Sequence, residues 1–189
     1  MEGNQMIDRA FILEKVPEIA WIRDEKLRNL CLDTWLYAAE FADVDETDLE
    51  QITFANFVLK GCEMNLLEHT RTVIQTSAIL AEQFERSYGN VIPLDKDTVL
   101  CAAALHDVGK VQEHCKDHKG ITFEKNQYLE HEFWGAYFAQ QCELPWKIVY
   151  IIRSHRNGRP DKKDFPESFI VYNADWLNFK YLCFGYERI

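Results

Sequence analysis

Apolar residues return at three- and four-residue steps along most of this chain, a period that α-helices satisfy and strands do not. In the first sixty residues Ile19, Ala20, Ile22, Leu27, Leu30, Cys31, Trp35, Leu36 and Ala39 follow it. The acidic stretch from Asp43 to Asp48 then interrupts, as a loop or the start of a helix. A long helix is expected from about Asn65 to Tyr88, striped by Leu66, Val73, Leu80 and Phe84 and ended by Gly89-Asn90. Asp95 stands as the N-cap of a helix from Thr98 to about Asp107. Its Val-Leu-Cys-Ala-Ala-Ala-Leu run is apolar all round and therefore buried, and Gly109 reads as its stop. Helices resume at about Leu129 to Cys142, Trp146 to His155 and Pro166 to about Phe184, with Pro145 and Pro166 at first turns. Arg156 to Pro160 is turn chemistry, and the polar stretch Glu113 to Gln127 is the one long irregular connection. Strand signals are scarce and no repeat or linker breaks the chain. The expectation is an all-α domain in which residues 1–60 form a helical segment packed on a core built from residues 61–189.

Composition narrows the function. With 189 residues, 47% of them hydrophobic, the chain can bury a real core, which excludes a disordered protein. A formal net charge of -10 argues against stable binding of nucleic acid, which needs a basic surface. It leaves room for an enzyme that handles a phosphate in a local pocket, because a bound cation reverses the field there. No stretch approaches the ~18 apolar residues of a membrane span, and Met1 to Ala10 lacks a basic region followed by an apolar one. The six cysteines are scattered, with no CxxC pair, and fit reduced core thiols. A cytoplasmic location is expected.

Four histidines and two aspartates fall at distinctive places: His69, His106 with Asp107, His131, His155 and Asp175. Each sits on or at the end of an apolar helical run. A single histidine there is ordinarily a satisfied core residue. Five helices each sending an imidazole or carboxylate inward is another matter, since burying them without partners costs on the order of 1–3 kcal/mol each. A shared metal site between facing helices satisfies them together. Imidazole plus carboxylate without thiolate suits Mn, Fe, Co, Ni, Zn or Mg. Six ligands are too many for one catalytic ion with open positions, so two ions are expected, with Asp107 placed to bridge them.

The order His69, His106-Asp107, Asp175 resembles the HD superfamily of metal-dependent phosphohydrolases, and Leu105-His106-Asp107-Val108-Gly109-Lys110 is close to that family's most typical segment. The wider order, with His131 and His155 added, resembles its dinuclear members. The stretch from His106 through Glu113, His131, Ser154-His155 and Asn173 to Asn178 is similar to the HD domain of certain bacterial exoribonucleases, although these 189 residues, with so few strand signals, are not expected to form their RNA-binding module. The resemblance covers roughly residues 65–180 and makes residues 61–189 an HD domain. It implies hydrolysis of a phosphoester in a small phosphorylated molecule or nucleotide. A minority of dinuclear members, which are iron oxygenases acting on polyols or phosphonates, and a non-catalytic ligand-binding module are the alternatives.

In the hydrolytic reading, Asp107 and Lys110 are the catalytic residues, with Lys110 beside the metals to pair a phosphate; otherwise Lys110 is a solvated cation past a helix end. Arg156, the best placed of Arg153, Arg156 and Arg159, Asn173 and Trp176 are the candidate substrate contacts, against ordinary surface charge and core packing. Glu68, Glu113 and Glu130 are candidate acceptors for ligand imidazoles. His114 and His118 have the i, i+4 spacing of a second metal pair. Trp134, Phe138, Trp146 and Tyr150 read as core. A homo-oligomer is compatible with all of this.

Overall fold

The helix that is apolar on every side becomes the centre of the molecule. In the computed structural model, which describes residues 7–55, 58–117, 120–123, 130–156 and 165–189, eight α-helices are seen among the described residues. They are α1 (Arg9–Lys15), α2 (Glu25–Phe41), α3 (Glu46–Gln51), α4 (Leu66–Tyr88), α5 (Lys96–Leu105), α6 (His131–Gln141), α7 (Trp146–Ser154) and α8 (Pro166–Leu182). Every residue of α5 from Thr98 to Leu105 is buried, and α2, α4, α7 and α8 pack around it. Asp95 caps α5 by accepting from the Thr98 backbone N–H at 3.2 Å, and Asn65 and Glu68 form a reciprocal capping box at the start of α4. These caps satisfy the free N–H groups that a helix start leaves behind. They also fix the first turn of α4, where His69 lies.

The N-terminal helices share this core. One buried apolar cluster takes in Phe11, Ile12 and Trp35 at one end of the chain and Ile152, Val171 and Ala174 at the other. The Trp35 indole donates to the Ala104 carbonyl at 3.1 Å, tying α2 to the end of α5. The buried Glu18 carboxylate, in a 3-10 segment over Pro17–Trp21, accepts from Arg71 at 3.0 Å and from Gln75 at 2.6 Å on α4. A smaller cluster of Phe54, Ala55, Leu59 and Cys62 packs beneath Phe179 and Leu182 of α8. The end of the chain stitches it down: Lys60 N–H donates to Glu187 O at 2.8 Å and Ile189 N–H to Val58 O at 3.1 Å.

The all-α class holds, with local departures. The helical reading from Ile19 to Ala39 breaks at Ile22–Asp24, where Asp24 caps α2. The acidic stretch is the start of α3, capped by Asp45. Pro145 is the N-cap of α7 rather than part of its first turn, whereas Pro166 does open α8. Inside the polar connection, β1 (His114–Asp117) and β2 (Gly120–Phe123) pair antiparallel. Trp146 is 70% exposed and Tyr150 38%, not core. The buried face of α7 is taken by Ile148, Ile151 and Ile152, and both aromatics pack edge-on against Phe165 instead. Phe138 is fully buried and Trp134 partly so. Cys31, Cys62, Cys101, Cys142 and Cys183 are free thiols. No described helix is long and apolar enough to cross a membrane. The turn at residues 157–160, with Arg159, and His118 lie outside the described residues.

Gly109 does not stop α5. It lies in a 3-10 segment, Val108–Glu113, that crosses α6 backbone against backbone. A Cβ at Gly109 would stand 2.0 Å from the His131 carbonyl oxygen and 2.5 Å from the Gly135 nitrogen. Neither can swing aside, because both belong to the first turns of α6. Gly109→Ala is therefore expected to destabilise the protein by about 3 kcal/mol or more; an unchanged melting temperature in thermal denaturation would contradict this crossing.

Candidate metal centre

Helix ends carry the site. His106 closes α5 and His155 closes α7, each as the residue after the last helical one. The last carbonyls of a helix lack intrahelical donors, and both imidazoles exploit this: His106 Nδ1 lies 2.7 Å from Ala103 O, and His155 Nδ1 lies 2.7 Å from Ile152 O. With Nδ1 donating its proton to a carbonyl, each Nε2 presents a lone pair toward the interior. His131, the first residue of α6, does the same through a side chain, its Nδ1 donating to Glu113 Oε1 at 3.2 Å. His69 on α4 and Asp175 on α8 complete the set, held 3.1 Å apart.

The arrangement divides into two groups, His69, His106 and Asp175 on one side and Asp107, His131 and His155 on the other, with potential ligand atoms within 4.8 Å of one another in each. Asp107 joins them. Its Oδ2 lies 3.5 Å from His69 Nε2 and 3.4 Å from His106 Nε2, while its Oδ1 lies 3.2 Å from His131 Nε2 and 3.5 Å from His155 Nε2. Ligand atoms bound about 2.1 Å from one ion sit roughly 3–3.4 Å from one another. The observed spacings match this, as does the 3.2 Å between His69 Nε2 and His106 Nε2. Two like-facing ring nitrogens at that distance require a proton or a cation between them. The donor set, its spacing and the Nδ1 hydrogen bonds behind three of the four rings therefore fit divalent metal.

Charge inside the site is tightly balanced. Burial pushes the Asp107 carboxyl up, but Lys110, His106 and His131 outweigh it and hold Asp107 well below the usual carboxylate range. Burial would likewise depress His131, and Lys110 adds to that, yet the carboxylates of Asp107 and Glu113 raise it to about 9. Lys110 is buried, which excludes a solvated cation: its Nζ lies 3.5 Å from Asp107 Oδ2, 3.4 Å from the Phe54 carbonyl and 4.8 Å from the centre of the Phe54 ring.

The other candidate residues fall at different distances from the chemistry. Arg156 directly follows His155 and is half exposed, its guanidinium 3.8 Å from Glu132 Oε1. The Asn173 amide donates to the Phe169 carbonyl at 2.7 Å, within its own helix. Trp176 is 44% exposed, stacked at 5.6 Å on Phe179 and capped by Lys180 at 4.6 Å. Of the three glutamates, Glu113 reaches an imidazole, Glu68 is spent on the cap of α4, and Glu130 precedes α6 as an exposed N-cap. Arg153 is exposed. His114 Nδ1 pairs with the Lys110 carbonyl at 2.8 Å. Two contributors escape the sequence patterns. Buried Glu132 lies 3.7 Å from His131 Nδ1, and its signal was a carboxylate within an apolar helix. Phe54 stacks on His69, and no local pattern announces it.

The family model of the HD domain matches residues 66–179, which include all six candidate ligands. No curated protein and no solved structure matches the chain.

Glu113→Gln removes a charged acceptor behind His131, and is expected to weaken divalent metal binding roughly 10–100-fold, read by competition with a chromophoric chelator. In metal-free protein the raised pKa of His131 has a second consequence. A histidine held protonated by the fold contributes stability that is complete below its ordinary value of 6.5 and is lost as pH rises through about 9. Metal-free wild type should therefore lose thermal stability across that window, and His131→Gln should flatten the profile.

Proposed function

Because this chain belongs to the HD domain family, within the superfamily of metal-dependent phosphohydrolases, we propose that it hydrolyses a phosphoester bond in a small phosphorylated molecule or nucleotide. The observation that carries the reading is the division of the Asp107 carboxylate between two ligand groups, with the buried ammonium of Lys110 beside it. His69, His106 and Asp175 would hold one ion, His131 and His155 the other, and Asp107 both. When bound, such a pair supplies hydroxide from water near neutral pH and a Lewis acid for phosphoryl oxygens.

The protein's own groups do the rest. Lys110 is held at the centre by Asp107 and the Phe54 carbonyl, so its ammonium is positioned before substrate arrives and costs no reorganisation. Arg156 supplies a planar, permanently charged fork next to His155, suited to an anionic substrate's outer oxygens. Trp176 offers an exposed aromatic edge one residue past Asp175. With a net charge of -10 on the chain, attraction of an anion depends on these few cations, which favours a small phosphate compound over long RNA.

The test is release of phosphate or nucleoside from a panel of phosphomonoesters, phosphodiesters and nucleotides with Mn, Co, Ni or Fe. Activity should vanish in the His106→Ala, Asp107→Ala double variant. Lys110→Met should lower kcat/KM by about 100-fold or more. A wild-type protein inactive with every metal, or a double variant that keeps its activity, overturns the proposal.

A further inference from the structure

Three of the four candidate ligand imidazoles have their orientation fixed by a hydrogen bond at Nδ1: to Ala103 O, to Ile152 O and to Glu113. His69 does not. Its Nδ1 is buried and has no hydrogen-bond partner among the described residues. What lies against it is the Phe54 ring, stacked with centroids 3.4 Å apart and planes 11° from parallel. Phe54 belongs to the segment before α4, outside residues 66–179 of the family match.

We infer that Phe54 is a positioning residue for the metal centre, fixing the plane of the His69 imidazole by stacking where the other ligands use a hydrogen bond. The inference rests on the two-ion reading above. A ligand imidazole bound only through Nε2 can turn about its Cβ–Cγ bond, and each turn takes the lone pair off the metal direction. A face-to-face neighbour removes that freedom as an acceptor at Nδ1 would, without adding charge. For this the neighbour must itself be immobile, and Phe54 is. Its backbone N–H donates to Met64 O at 3.0 Å, and Thr53 pairs with Asn65 in an isolated antiparallel bridge. Its ring meets Phe179 edge-on at 6.4 Å, and Lys110 Nζ lies 4.8 Å from its centre. The ring is 5% exposed. His69, the ligand of α4, thus takes its orientation from a residue eleven positions before that helix's N-cap.

The probe is cobalt(II) alone, titrated into metal-free full-length protein and read by stoichiometry and by the visible absorption of each bound ion. Wild type is expected to bind two ions. Phe54→Leu should retain the ion held by Asp107, His131 and His155, while its affinity for the other falls about tenfold with an altered spectrum. Phe54→Tyr, which keeps the stacking face, should restore both. Phe54→Met is the second variant should Phe54→Leu fail to fold, and thermal unfolding of the metal-free forms establishes which are folded. Two ions bound by a folded Leu or Met variant with wild-type affinity and spectrum overturn the inference. Equal weakening of both ions, or no rescue by Tyr, also overturns it, since either reveals only a structural role. If wild type itself binds no cobalt, the metal reading under the proposed function fails together with this one.

Discussion

A buried carboxylate has to be neutralised, and in this protein that requirement falls on Asp107. Isolated, such an ion costs several kcal/mol even after the surroundings relax. The fold surrounds it with four imidazoles and an ammonium, drawn from α4, α5, α6, α7 and the 3-10 segment after α5. Every one of those groups is itself buried, so each needs the carboxylate as much as it needs them. The elements cannot be rearranged singly. Shifting α6 would strand His131 against Glu113 without Asp107, and shifting α7 would carry the His155 ring away from the same carboxylate. The electrostatic centre and the apolar core around α5 are therefore one construction.

The four rings of that construction are oriented by two different means. For His106, His131 and His155, orientation comes from hydrogen bonds, with helix-end carbonyls behind two rings and Glu113 behind the third. For His69 alone among them, it comes from an aromatic plane delivered by the segment before α4 and backed by α8. The first mechanism is local, since a histidine after a helix end finds a free carbonyl three residues back. The second depends on a satellite core and on backbone pairing with residues 187 and 189 at the far end of the sequence. The segment before residue 66 thereby reaches the candidate centre directly, through the Phe54 ring on His69.

That difference also explains what the sequence could reveal. The candidate ligands are legible because polar rings on apolar helical runs are conspicuous, and the cap Asp95 because its chemistry is local. Lys110 could be located but not weighed: burial decided between a solvated cation and a positioned one, and burial is a property of the whole fold. Trp146 and Tyr150 misled because α7 is apolar on most of its surface, so spacing defined a stripe without saying which stripe the core would take; three isoleucines took it. The hairpin was invisible because four-residue strands of mixed polarity carry no alternation to detect. Phe54 sits in a stretch without any period, and its role exists only in three dimensions.

The crossing of Gly109 and Gly135 bears on how such a sequence can drift. Most of the core is side chain against side chain, where an isoleucine can give way to a leucine with modest repacking. At this crossing main chain meets main chain, and the separation between Asp107 and His131 is set by peptide geometry. Divergence in the surrounding core would then leave the spacing of the centre untouched, while Gly109 tolerates no replacement. Mutational scanning of this protein would show a permissive interior around an intolerant point, with the intolerance located at a residue that carries no functional group at all.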